Sequence, residues 1–156
     1  MAYIYPAPGV ANVQATLTLT TSAATGPLAM PALQDITINN SNDVFTWTQL
    51  DSGSKQQVAT TATNDISMNC VLEQTTFFGN SAASASSAAY LGVFGLSKNK
   101  PLVGFTLYMG DTSTGATGPT ISGSAYVTGL APTVSADSPV WVSPITLTVT
   151  GDYTVA

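Results

Sequence analysis

The chain has 156 residues, 44% of them hydrophobic and only 7% charged, with eight acids set against Lys55, Lys98 and Lys100 and neither arginine nor histidine. A net charge of −5 without clustered cations excludes a phosphate-gripping clamp for nucleic acid, and the lack of histidine removes the usual general base and any histidine-ligated zinc. Cys70 is the single cysteine, which excludes an intrachain disulfide. The surface is therefore polar mainly through Thr, Ser, Asn and Gln, which solvate less strongly than charges and associate more readily.

The length suits one domain, expected over residues 11–156, preceded by an arm at residues 1–10. MAYIYPAPGV carries two tyrosines and two prolines and reads as extended chain; it lacks the basic and apolar blocks of a secretory signal. No uninterrupted apolar run reaches membrane-spanning length, so the expectation is a soluble protein made in the cytoplasm.

Val13, Ala15, Leu17 and Leu19 alternate with Gln14, Thr16, Thr18 and Thr20, the pattern of a half-buried strand. A turn-rich stretch follows. Ile36 and Ile38 then predict a short strand, broken by the Asn39–Asp43 cluster. VFTWTQL sets Phe45 and Trp47 on one face, expected toward the core, and Thr46 and Thr48 on the other. NDISMNCVLE repeats the arrangement, with Ile66, Met68, Cys70 and Leu72 opposite Ser67, Asn69, Val71 and Glu73. Between them DSGSKQQVATTATND reads as a long polar loop, well beyond the usual hairpin connection.

From Asn80 to Lys100 the period becomes helical: Ala82, Ala85, Ala89, Val93 and Leu96 recur, Asn80 or Ser81 can cap the start, and Pro101 stops the run. Gly92 and Gly95 weaken this helix by about 1 kcal/mol each relative to alanine. The glycines are expected to let it lie close to a sheet. LVGFTLYM, ISGSAYVTGL and PITLTVT supply further strands, the last with Ile145, Leu147 and Val149 opposite Thr146, Thr148 and Thr150. The order of strands, one helix, then strands predicts a mainly β (α+β) protein: an antiparallel sandwich or barrel with one packed helix.

Sheets with wet threonine faces still have edges, and monomeric β proteins commonly block theirs with lysine, inward charge or proline. This chain has little of that protection. Its edges are expected to be paired, within the chain or by neighbouring copies in a ring, giving an inner barrel closed on oligomerisation.

Together, VFTWTQLDSGSKQQVATTATNDISMNCVLE, the helix SASSAAYLGVFGLSKNK, KPLVGFTLYMG and SGSAYVTGLAPTVSADSPVWVSPITLTVTGDYT resemble the tail tube proteins, or major tail proteins, of tailed bacteriophages. The resemblance spans residues 36–154 as a pattern of elements. It implies homohexameric rings stacked into a tube that conducts DNA during ejection, in the virion tail, without enzymatic activity or cofactor. It implies a ring-stacking loop carrying Asp51, Ser54, Lys55, Gln56, Gln57, Asn64 and Asp65, and lumen-facing Thr46, Thr48, Ser67, Asn69 and Glu73. It also implies an arm lying on a neighbour through Tyr3, Tyr5 and Pro6. Partners would be further copies, tape measure, tail terminator, baseplate or tail-tip proteins, and a sheath if the tail contracts. DNA would pass without sequence-specific binding.

A capsid decoration or fibre protein is the alternative, being equally threonine-rich and oligomeric. DSGS at Asp51 matches the aspartic-protease Asp-Ser-Gly pattern, with DTSTG at Asp111 a poorer copy, but a polar turn accounts for the same residues. GATG lacks the Lys-Ser/Thr of a phosphate loop. Cys70 alternates inward, and Trp141 reads as core or as a contact between subunits.

Overall fold

The structure, a computed structural model, describes residues 15–21, 26–30, 33–82, 87–110 and 118–156. The expected arm with Tyr3, Tyr5 and Pro6, the start of the first strand at Val13, Ala85 and the second Asp motif at Asp111 lie outside the described residues. The strands are β1 (Ala15–Thr21), β2 (Leu28–Met30), β3 (Leu33–Thr48), β4 (Lys55–Val71), β5 (Val103–Met109), β6 (Thr120–Leu130), β7 (Thr133–Ser135) and β8 (Ser138–Val155). Two helices, α1 (Gln74–Phe78) and α2 (Ala88–Asn99), fall between β4 and β5.

All strand pairs are antiparallel, in the order β2-β1-β5-β6-β8-β4-β3, with β7 folded back on β8. The sheet curls into a half-barrel. Its packing follows from alternation: Leu17 and Leu19 of β1, Ile66, Met68 and Cys70 of β4, Val103, Phe105 and Leu107 of β5, and Ile145 and Leu147 of β8 are all buried in one core. The intervening Thr, Ser and Asn residues point away from it. Burial raises the Cys70 thiol to about 11, with the nearby Asp35 carboxylate adding to the effect. The thiol therefore remains protonated at neutral pH, as a small apolar core group.

The helical region differs from expectation in three ways. The helix starts at Ser87, whose Oγ accepts from Ala89 N at 3.1 Å and donates to the Gly26 carbonyl at 2.9 Å, rather than at Asn80 or Ser81. It ends as predicted, with Lys100 left-handed after Lys98 and Pro101 next in sequence. Second, the short α1 precedes it. Third, Gly92 is not a weak helical residue but a kink, at φ 61° and ψ 177°. The Gly92 backbone lies against Phe77 of α1 and its C-cap Gly79, so its close approach is to the other helix rather than to a sheet.

The largest difference is at residues 39–63. The polar run predicted as a loop is the outer half of a β-hairpin: Thr48 pairs with Lys55, Phe45 with Val58 and Ser41 with Thr63, around a turn in which Ser52 N donates to Gln49 O at 3.2 Å. β3 thus continues straight through the Asn39–Asp43 cluster expected to end it. Every residue from Asn39 to Thr63 except the half-buried Ser52 is exposed. At ~3.3 Å per residue the arm projects roughly 30 Å beyond the Asn40–Asn64 pair.

Candidate self-assembly surfaces

Register places side chains on common faces across strands. Thr37, Ser67 and Thr146 lie side by side on β3, β4 and β8, as do Asn39, Asp65, Thr148 and Tyr126 one step along, the last on β6. Thr128 and Thr148 share a hydroxyl hydrogen bond of 2.9 Å, and Ser122 and Thr154 one of 3.0 Å. Asn69 donates to both carboxylate oxygens of Asp35, at 3.1 and 2.9 Å. The result is a continuous polar face on the side of the sheet away from the core.

Ser67 and Asn69, expected on one polar face, do share it. Thr46 and Thr48 do not. β4 carries one extra residue where Thr60 and Thr61 both bond to Asp43, at its carbonyl (3.2 Å) and its Oδ2 (3.1 Å). Because the bulge is on β4, β3 keeps its alternation, which sets Phe45 and Trp47 on the Thr37 face and Thr46 and Thr48 on the Ile38 face. Phe45 and Trp47 are also not core residues: they are 59% and 38% exposed and stack on each other at 5.9 Å.

Glu73 leaves the sheet altogether. It caps α1, its carboxylate accepting from Thr75 and Thr76 hydroxyls at 2.6–2.7 Å and from their backbone N–H groups. Those hydroxyl bonds, then the backbone ones, hold it down at about 2. The acids of the polar face are instead Asp35, which alternates with Ile36, and Asp43 and Asp65, which lie in segments that read as a strand break and a loop.

Of the residues expected in a stacking loop, Asp51, Ser54, Lys55, Gln56 and Gln57 gather at the hairpin tip. Asn64 and Asp65 sit at its root, roughly 30 Å away by strand rise. Asp51 is exposed in the turn, and the half-buried Ser52 accepts from Ser54 N at 3.3 Å, the local bonding of a polar turn.

Two edges are open along this arm. β8 pairs with β4 only from Asp65 to Val71, so among the described residues Lys55–Asn64 have a partner on the β3 side alone, and β3 has none on its outer side. Neither strand contains proline within the arm, and Lys55 is its single cation. Sequence reasoning anticipated unguarded margins but not that both would fall on one projecting ribbon.

No family model and no curated protein sequence matches the chain. Solved structures do. A chain from the tail of an empty gene transfer agent particle, refined with C6 symmetry, superposes with a TM-score of 0.66 at 12% identity, over 96% of this chain and 99% of that one. A chain of the six-fold symmetrised anti-feeding prophage baseplate gives 0.67 at 11% identity, over 97% of each. The SPP1 tail tube gives 0.63 at 12% identity, over 95% of this chain and 78% of that one. This is the tail-tube fold. Within it, the polar face and the two-edged arm are the surfaces that a copy of the chain could complete. Among the described residues no helix is long and apolar enough to cross a membrane, and no group of three metal-ligating side chains occurs.

Proposed function

We propose that the protein is a structural subunit of a phage-type tail tube, in which six copies close a ring, rings stack, and the bore conducts DNA. The observation that carries this reading is the arm of β3 and β4, a ribbon with two open edges continuous with a half-barrel sheet in the tail-tube fold. Neighbouring copies would pair those edges and so close the inner barrel. The polar face would line the lumen through Thr37, Ser67, Asn69, Thr146 and Thr148, with Asp35, Asp43 and Asp65 repeated around the ring. Such a wall repels phosphate and gives DNA no cationic foothold, so the duplex slides.

The hairpin tip, from Gln49 to Gln57, is the part that reaches the next ring. Residues 11–156 act as one tube domain and residues 1–10 as an arm on a neighbour. Partners at the tube ends and along its interior would be terminator, tip or baseplate, and tape measure proteins, with a sheath around it if the tail contracts. The role is structural and uses no cofactor.

Electron microscopy of concentrated protein tests this. Hollow tubes with six-fold class averages down the axis are the expected result. Compact trimers would favour a decoration or fibre protein instead, and a chain that stays monomeric at high concentration would refute assembly outright.

A further inference from the structure

Among the exposed large apolar side chains, two groups stand out. One group lies at the hairpin tip, where Phe45, Trp47 and Leu50 are exposed, Leu50 completely. The other lies where β4 ends and α1 begins. There Leu72, Phe77, Phe78, Phe94 and Trp141 line an open groove of about 520 Å³ with Glu73 on its rim. Phe77, Phe78 and Phe94 form a three-ring cluster with centroids 4.9–6.0 Å apart, yet Phe78 remains 65%, Phe94 46% and Trp141 52% exposed. Stacked aromatics left this open forgo much of the burial that makes them useful in a core, and such patches mark association sites.

The two groups occupy opposite ends of the same strand. β4 runs 17 residues from Lys55 beside the tip to Val71 beside the groove, or roughly 50 Å at ~3.3 Å per residue. Charges complement as well. The tip carries Lys55, the single cation of the arm, and Glu73 stands on the rim of the groove, opposite in sign. An apolar projection at one end and an apolar recess at the other cannot satisfy each other within one subunit. They can do so between copies placed head to tail, the arrangement that propagates without closing.

We infer that the groove between α1, α2 and the start of β8 is the receptor for the hairpin tip of a second copy in the adjacent ring, Phe45, Trp47 and Leu50 seating on Phe78, Phe94 and Trp141. The inference rests on the tail-tube reading and adds to it the acceptor surface. Trp141 thereby acquires a role between subunits. The groove is apolar and open, suited to a blunt aromatic ridge rather than to a small polar ligand.

The test uses the full chain. Trp47→Ala and Phe94→Ala each remove one exposed ring, and each is expected to leave six-fold rings intact while raising the protein concentration needed for tubes by about tenfold or more. Leu102→Ala removes an exposed apolar side chain between α2 and β5, outside both groups, and should leave that threshold unchanged. In a chain carrying both Leu50→Cys and Gln74→Cys, oxidised tubes should run as a ladder of covalent multimers on a non-reducing gel, which neither single variant gives. Tubes that form at the parental threshold in Trp47→Ala and Phe94→Ala, with no ladder in the double variant, would overturn the groove while leaving the tail-tube reading in place. A parent chain that forms neither rings nor tubes would remove both.

Discussion

Replacing Gly92 by alanine strikes a point where the two helices meet backbone to backbone. At φ 61° and ψ 177° the residue occupies a region open essentially to glycine alone, and forcing a side chain there costs about 1–3 kcal/mol. The new Cβ would also lie 2.6 Å from the Phe77 carbonyl oxygen and 2.8 Å from its carbon, with the Gly79 nitrogen closer still. These are main-chain atoms that cannot rotate away. α1 would have to shift, loosening Phe77 in the core and the Asn80 N to Ala89 O bond of 2.8 Å. Together these terms come to about 3 kcal/mol or more, a fall in Tm of about 6–12 °C for a chain of this size. Thermal unfolding by circular dichroism measures it, at a concentration below assembly so that subunit binding does not mask the loss. Gly53→Ala is the control. Its Cβ meets nothing within 4 Å, so it should stay within ~0.5 kcal/mol of the parent. A Gly92→Ala melt within ~2 °C of the parent would refute the reasoning.

Glu73→Gln tests the cap through pH. The carboxylate sits at about 2 when folded against an ordinary 4.5. Its stabilisation is therefore fully present above about 4.5 and is lost as pH falls toward about 2. The variant should melt below the parent at pH 7, and the two curves should converge on acidification; a constant gap would refute the assignment. Cys70, with its thiol at about 11, should resist iodoacetamide at pH 8 in the native chain and react fully once unfolded; rapid native labelling would contradict its burial. Leu147→Ala empties a fully buried position on β8 and should cost about 2–5 kcal/mol by urea titration; a loss under ~1 kcal/mol would place it outside the tight core. Excision of residues 41–63, closed by Asn-Gly between Asn40 and Asn64, should leave Tm nearly unchanged but abolish both ring closure and ring stacking, read by melting and by electron microscopy. Cutting only residues 53–63 would leave β3 half-paired, so the symmetric excision is the cleaner test.

What the residues revealed in advance follows from one-sided burial. Leu17 and Leu19, Ile66 to Cys70, and Ile145 and Leu147 each have water on one side only, so their alternation was legible and placed the strands correctly. The hairpin arm has water on both sides. No inward set exists between Asn39 and Thr63, so one hairpin reads as a short strand, a break at Asn39–Asp43, a second strand at residues 44–50 and a polar loop. Phe45 and Trp47 read as inward because residues 44–50 read as a strand separate from Ile36 and Ile38; one unbroken β3 puts them on the Thr37 face instead. Glu73 stands one pleat beyond Val71 in the right parity, but the following Thr75 and Thr76 turn it into a cap. Only the pairing Glu-x-Thr-Thr hinted at that. The early helix start arose because an Ala/Ser run fits a 3.6 period whether or not it is wound.

Beyond Asn40 and Asn64, the ribbon pairs with no third strand among the described residues, and two strands without a third are marginal in water. A free subunit therefore carries a frayed limb, whereas a subunit settling on an existing end has that limb straightened by its hosts. Lengthening an end is then easier than starting one, so filament growth should show a lag that vanishes when preformed fragments are added as seeds.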